Sequence, residues 1–467
     1  MRQLCRTHPE VAFCALASLF LAVLVILVWN SSIELNYSFV TTSLLFFQMS
    51  SDSFDQKKQN VPVNRNKSLK EENSWKGDRK LRRVEESLAT ARSLIKEASK
   101  NTNCTADIKD VGFAPQGGIY RNACLFYRSY LLMENLFKIF VYEEGEPPLF
   151  HNGPCKYIFS TEGLFFSLME TNTHFRTYDP DEAQVYFLPF SVVEIRTYLY
   201  DQRTKDKGGL KRSVVDYVRM ISNKYPYWNR SLGADHFMLS CHNWAPWVTW
   251  YVPELFHNSI RVLCNANTSE RFKPEKDASF PEIHLQTGQV TGLTGGLLAA
   301  NRTILAFFAG QAHGKIRPAL FEHWKEKDKD VLVYEKLPEG VDYNEMMKKS
   351  KFCICPSGHE VASPRVVEAI YVECVPVLIS QHYIIPFSDV LNWDSFSIQV
   401  SLSDLPNLKK ILMAITQDEY LRMKERVKQV QQHFVINDPP KRFDVFHMIL
   451  HSIWLRRLNV QLDNESQ

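Results

Sequence analysis

Between residues 303 and 379 the chain alternates short apolar, strand-like runs with amphipathic stretches, and this alternation limits the fold more than any other feature. Residues 303–309, 330–334, 351–355 and 375–379 read as strands, and 316–325, 343–349 and 363–372 read as helices. Four strands separated by helices join one sheet through right-handed crossovers, which makes that sheet parallel. The preceding half carries the same grammar more loosely, from Phe137-Lys-Ile-Phe-Val-Tyr142 through strands at 184–190, 236–241 and 260–264 and a helix near 210–223. A Gly- and Thr-rich segment at 287–296 separates the halves. The expected fold is α/β, with two Rossmann-like domains, 117–300 and 301–435, facing a cleft. In the terminal segment 436–467, Phe443, Phe446, Ile449, Leu450, Ile453 and Trp454 have helical spacing and lead to Arg456-Arg457, which suits a helix that packs across the domains.

Residues 11–29 contain no charged side chain and span about 28 Å as a helix, close to the hydrocarbon thickness. Arg2 and Arg6 precede this run and Glu34 follows it, predicting a signal anchor of type II topology with residues 1–10 cytosolic and the rest lumenal. A cleaved signal peptide is the competing reading, but its apolar region is normally shorter. The second apolar patch, 39–49, is too short to span. Residues 30–116 read as a polar stem with one helix over 80–100. The seam Leu81, Val84, Leu88, Ala91 and Ile95 in that helix suits either pairing with a second chain, in a homo- or hetero-dimer, or a solvated spacer. Asn36, Asn66, Asn103, Asn229, Asn267, Asn301 and Asn464 are glycosylation acceptors by motif, all on the lumenal side.

Of ten cysteines, eight follow the anchor and are free to pair in an oxidising compartment, with a connectivity the sequence does not fix. Cys353 and Cys355 point to one face of a strand without a second Cys/His pair at finger spacing, so core or disulfide is the better reading than zinc. The 55 Lys and Arg balance 52 Asp and Glu, which argues against a nucleic-acid partner.

The sharpest local pattern is Cys355-Pro-Ser-Gly-His-Glu-Val-Ala-Ser-Pro-Arg365, running from a buried strand through a loop into a helix. Ser363 suits the N-cap and Pro364 the first helical position, leaving free amides for an anion. Arg365 adds a planar fork for phosphate oxygens, and Glu368 on the same face suits ribose hydroxyls. The plainer alternative is an i, i+3 helix pair with an ordinary cap; a place at the carboxyl end of a parallel strand favours the nucleotide pocket. A second loop, Ala309-Gly-Gln-Ala-His-Gly-Lys-Ile-Arg317, offers Gly310 for close backbone approach and Arg317 for another phosphate contact. Its glycine spacing is not that of a dinucleotide fingerprint and no P-loop occurs, so hydride transfer and P-loop ATP hydrolysis lose support.

Over roughly 138–457 the chain resembles the exostosin-like glycosyltransferases, family 47, and especially their plant branch. The ordered matches include Lys138-Ile-Phe-Val-Tyr, Tyr157 with Glu162, Asp179-Pro-Asp-Glu-Ala, Leu188-Pro-Phe, Cys241-His242 before Trp244 and Lys276-Asp-Ala-Ser-Phe-Pro. They continue through Phe307-Phe with Gly310, His313-Gly with Arg317, Pro356-Ser357-Gly, Ser363-Pro-Arg-Val-Val-Glu, Cys374-Val-Pro-Val, Pro386-Phe-Ser-Asp and Asn392-Trp. The resemblance implies a Golgi membrane enzyme of GT-B type that moves a sugar from a UDP-sugar donor to a glycan acceptor, such as a cell-wall polysaccharide, with inversion. The donor is then held by Gly310, Arg317, Ser357, Ser363, Arg365 and Glu368, and Glu162 and His242 are candidates for the general base. No cofactor is implied beyond the UDP-sugar substrate. Asp179-Pro-Asp181 and Asp328-Lys-Asp330 look like metal-holding pairs, but one lies in a Pro-punctuated turn and the other in a charged run, so no metal is expected. Asn243 stands where relatives carry Asp, and Glu373 where they carry Gly, which leaves a non-catalytic homologue, binding glycans or a catalytic partner, as the second reading. A sulfotransferase is set aside because no basic phosphosulfate loop follows Val141.

Overall fold

The computed structural model describes residues 65–100, 115 and 117–462, with side chains from 79 onward. The chain divides into two units, one of which runs from Gly77 onward and holds both of the sheets. The apolar runs 11–29 and 39–49 and the acceptors Asn36, Asn103 and Asn464 lie outside the described residues. Among those residues no helix is long and apolar enough to cross a membrane.

Two sheets, all parallel, form the frame. The first takes β1 (Ile139–Val141), β2 (Arg176–Thr177), β3 (Val185–Phe187), β4 (His236–Ser240), β5 (Ile260–Leu263) and β6 (Ala278–Ser279), in the order β2-β1-β3-β4-β5-β6. The second takes β7 (Ile304–Ala309), β8 (Val331–Tyr334), β9 (Ser350–Pro356), β10 (Val375–Ile379) and β11 (Ile398–Gln399), in the order β11-β10-β9-β7-β8. In each sheet the order reverses beside the first strand, the doubly wound pattern that leaves a crevice at the carboxyl ends. Such an arrangement of two parallel α/β sheets fits a GT-B-like fold. The inner strands β1, β3, β4, β5 and β10 are buried on both faces, as helix-covered parallel sheets require.

Helices begin where the sequence supplies caps. Asn122 Oδ1 accepts from Leu125 N ahead of Ala123–Leu136, Thr416 and Glu419 form a capping box at Gln417–Val430, and Asp444 accepts from His447 N at Val445–Asn459. The helix Val445–Asn459 follows the second sheet in sequence yet packs on β5 and β6 of the first. Phe446 meets Phe165, and Trp454 meets Phe137. Arg456 and Arg457 are not solvated charges at a helix end; they are 4% and 1% exposed and spend their donors on the neighbouring chain.

The helix Arg65–Ala98 corrects the reading of the stem. Leu81, Val84, Leu88 and Ala91 are buried, and the last three join the central apolar core. Arg92 donates to the carbonyls of Leu458 and Val460 at 2.7 Å each, and Glu85 pairs with Arg457. From Gly77 the helix is therefore part of the folded unit, and its apolar seam is consumed within the chain instead of pairing two chains or facing water. Asn66 lies in this helix, Asn229 and Asn301 are exposed, and Asn267 is half-buried with its side-chain oxygen accepting from Ser269 N.

Cys353 pairs with Cys374 and Cys241 with Cys264, while Cys355 stays a buried thiol pushed up to about 12 by burial. Glu373, where the family resemblance leads to an expectation of glycine, has φ of 55°, the left-handed region that glycine adopts without strain. Its carboxylate pairs with Lys424 at 2.5 Å.

Leu88→Ala is expected to lower the unfolding free energy by about 2–4 kcal/mol, because it empties a fully buried site. Denaturant unfolding checks this, and an unchanged midpoint would return the seam to the solvated or chain-pairing readings.

Candidate functional site

The carboxyl ends of the two sheets meet. Asn265, just past β5, accepts from Val361 N of the loop after β9 at 3.0 Å, and Ser279 at the end of β6 donates to Ile384 O beyond β10 at 2.7 Å. The loops after β7 and β9 flank the point where the second sheet reverses its order, the place where open α/β sheets hold ligands. Gly310 and Arg317 come from the first of these loops and its helix; Ser357, Ser363, Arg365 and Glu368 come from the second.

The two arginines are brought together over one ring. The guanidinium carbons of Arg365 and Arg317 stand 4.9 and 5.8 Å from the centroid of Phe308, on β7. Arg365 donates to Ala309 O at 2.9 Å, and Arg317 to Gln311 O and Pro356 O at 3.3 and 3.4 Å. Among the described residues neither forms an ion pair with a carboxylate. Burial, and then the neighbouring Arg365, lower Arg317 to about 10. Two partly buried like charges, neither in an ion pair among the described residues, leave donors suited to an anion.

Glycines make room for this pair. A Cβ on Gly310, where φ is 158°, would lie 2.2 Å from Arg365 Nη2, and one on Gly358 would lie 3.0 Å from Arg317 Nη2. A Cβ on Gly314, where φ is 72°, would meet the Gly358 carbonyl at 1.9 Å, so the two loops close on each other only because position 314 lacks a side chain. His313 and His359 stack across the same loops at 4.7 Å.

Ser357 and Ser363 play different parts from those expected. Ser357 Oγ donates to Val361 O and sits 2.7 Å from Ser380 Oγ, so it closes its own loop. The helix starts at Arg365, with Pro364 as its cap residue and no side-chain capping bond, and Ser363 Oγ turns to Arg365 Nη1 at 3.5 Å. The N-cap assignment of Ser363 is thereby corrected: proline and backbone carbonyls open this short helix, and the anion-binding capacity lies in the guanidiniums. Glu368 accepts from Tyr343 Oη at 2.9 Å and lies 3.5 Å from His284 Nδ1, a contact from the first domain.

Glu162 and His242 are brought together on the first-domain side, where their hydrogen bonds lie within the fold. Glu162 is fully buried in the first turn of Ser160–Thr171, and its oxygens accept from Ser191 Oγ at 2.5 Å, Ser240 Oγ at 2.9 Å and Cys241 N at 2.8 Å. It braces the end of β4, where Ser240 Oγ also receives His242 N at 3.2 Å. Burial pushes Glu162 up to about 7 against those donors, and lowers His242 to about 4. The neutral His242 ring accepts Trp244 N at its Nδ1, which leaves the proton on Nε2 as a donor.

Glu282, which no sequence motif singled out, is 4% exposed just beyond β6. Burial holds it well above its ordinary range, Glu360 and Glu368 push the same way, and Arg365 and Arg317 oppose them. Glu360 Oε2, across the cleft, is buried without a hydrogen-bond partner. The only signal was its place directly after the Lys276-Asp-Ala-Ser-Phe-Pro motif. The two Asp-x-Asp pairs are each occupied by a lysine: Lys80 bridges Asp179 and Asp181 at 3.2 Å, and Lys409 bridges Asp328 and Asp330 at 2.8 Å.

These groups predict the pH profile of stability. His242, His433 and His451, lowered by burial to about 4, 4 and 3 from 6.5, contribute stability present above pH 6.5 and lost as pH falls through those values. Glu162, raised from 4.5 to about 7, contributes stability that is full below 4.5 and lost as pH rises through 7. Unfolding free energies from urea titrations are expected to decline below pH 6.5, and Glu162→Gln is expected to flatten the decline on the alkaline side.

The exostosin GT47 domain model matches residues 133–415. Two Arabidopsis thaliana proteins, each named a probable glycosyltransferase, are 59% identical over 443 residues (93% of either chain) and 58% identical over 382 residues (82% of this chain, 73% of the relative). A protein of Oryza sativa subsp. japonica named a probable glucuronosyltransferase is 26% identical over 341 residues, covering 68% of this chain and 80% of its own. With the domain model spanning both sheets and the arginine pair between its loops, the chain belongs to the exostosin GT47 family of glycosyltransferases.

Proposed function

We propose that this chain transfers a sugar from a UDP-sugar to a glycan acceptor with inversion, as a type II membrane protein of the Golgi with the folded unit lumenal. The observation that carries the reading is the pair Arg317 and Arg365, which lie over Phe308 without an ion-pair partner among the described residues. A diphosphate supplies the missing anion, and charge that builds on it as the donor bond breaks is stabilised by guanidiniums already in place. Glu368 and Tyr343 edge the same pocket and suit the ribose. The disulfides Cys241–Cys264 and Cys353–Cys374 support an oxidising compartment, and the exposed acceptors Asn229 and Asn301 support a lumenal face. The names of the rice relatives support a uronosyl or related donor.

In the reaction the acceptor oxygen attacks the anomeric carbon, the bond from that carbon to the diphosphate oxygen breaks, and the acceptor proton passes to a carboxylate. Glu282 is our choice for that carboxylate. It lies just beyond β6 on the first-domain side, and the charges of Arg365 and Arg317 oppose the burial that would keep it protonated, which supports its acting as a carboxylate. His242 then donates from Nε2 to the acceptor glycan, and Glu162 positions the strand end that carries it. The lysines held by both Asp pairs favour a reaction in which the arginines, not a metal, neutralise the diphosphate.

The full-length chain, given UDP-sugars and glycan acceptors with and without chelator, tests this. Arg365→Ala is expected to weaken UDP binding about tenfold or more, and Glu282→Gln to keep UDP binding while transfer falls about a hundredfold or more. Failure of the wild-type chain to bind any UDP-sugar would overturn the reading; full activity of Glu282→Gln would move the base elsewhere.

A further inference from the structure

The 55 basic and 52 acidic residues of the chain nearly cancel, yet between Arg196 and Arg212 six basic side chains meet only two acids. Arg203 is taken by Asp201, and Asp206 by Gly208 N. Two of the remaining cations, Lys207 and Lys211, stand beside a row of rings. Lys207 Nζ lies 4.1 Å from the centroid of Trp244 and 5.0 Å from that of Trp247, and Lys211 Nζ lies 4.6 Å from that of Tyr251. Trp244, Trp247 and Tyr251 follow one another edge to face, at 6.3 and 5.0 Å. Tyr200 meets Trp244 at 4.9 Å, and Trp250, 47% exposed, continues the surface.

Neither lysine pairs with a carboxylate among the described residues. A cation over an indole face gains a modest attraction and keeps its outward N–H donors open. The row starts at the reaction cleft, because Trp244 packs against His242 at 5.5 Å beyond the carboxyl end of β4. Rings in a row match the apolar faces of successive sugars, and open ammonium groups at their side match carboxylates.

We propose that this strip is the acceptor subsite and that it selects uronate-bearing glycans, with Lys207 and Lys211 receiving the carboxylates while Trp244, Trp247 and Tyr251 pack on the sugar rings. The proposal rests on the transferase reading above and adds the class of acceptor to it. A membrane surface is the other anionic partner for lysines beside aromatic rings; continuity with the cleft favours the glycan.

Calorimetry on the full-length chain, with galacturonate oligomers and with uncharged xylose oligomers of equal length, tests this. The charged oligomers are expected to bind about tenfold tighter or more, with an advantage that shrinks as salt rises. A Lys207→Gln, Lys211→Gln double variant, with an unchanged thermal midpoint, is expected to lose that advantage. Equal affinity for both oligomers would overturn the proposal, as would stronger retention by phosphatidylserine vesicles that the double variant abolishes. UDP binding by the wild-type chain separates the two readings: oligomer selectivity without UDP binding sinks the transferase reading alone, and UDP binding without selectivity sinks the acceptor class alone.

Discussion

Everything at the cleft depends on how the two sheets are held against each other, and buried guanidiniums of the final helix do much of this. Arg456 donates to the carbonyls of Asp277 and Pro274 in the first half and pairs with Asp389 in the second. Arg457 reaches Gln184 O ahead of β3 and pairs with Glu85 on the long helix. A guanidinium removed from water is costly unless its donors find partners, and these carbonyls and carboxylates supply them. The same groups therefore satisfy buried charge and fix the spacing across which Arg317, Arg365 and Glu282 face one another.

Disulfides and glycines refine that frame close to the chemistry. Cys241–Cys264 ties the residue after β4 to the residue after β5, directly beside His242 and Asn265. Cys353–Cys374 ties the middle of β9 to the chain entering β10, behind the loop that carries Ser357 and Arg365. Gly310, Gly314 and Gly358 act in the opposite sense, by leaving out atoms so that two loops and two guanidiniums share one small volume. The room for the two guanidiniums is thus made by backbone that carries no side chain.

Much of the fold was legible because its elements are long enough to show a period. The strands β7 to β10 and the helices between them follow the apolar alternation within a residue or two. Arg176–Thr177, Ala278–Ser279 and Ile398–Gln399 left no trace, since two residues carry no period and only pairing makes them strands. The seam from Leu81 to Ala91 was readable as an apolar stripe, but a stripe does not say what covers it. At the site, sequence motifs located Arg317 and Arg365, whose place is set by the loops that carry them. For Glu162 and His242 the motifs gave position but not surroundings: Glu162 is enclosed by Ser191, Ser240 and Cys241, and His242 accepts from Trp244 N. Glu282 escaped notice for the same reason, since the groups that make it unusual lie on the other domain.

Glu373 carries a consequence for how this chain and its relatives can diverge. Its left-handed backbone disfavours any side chain with a Cβ by roughly 1 kcal/mol, a strain that glycine avoids. The carboxylate is tied to Lys424, and both side chains are mostly shielded from solvent. Positions 373 and 424 are thereby coupled across 51 residues of sequence: with glycine at the first, the second is free to drift, whereas here loss of either charge strands the other. A change at either position alone therefore costs more than a matched change at both.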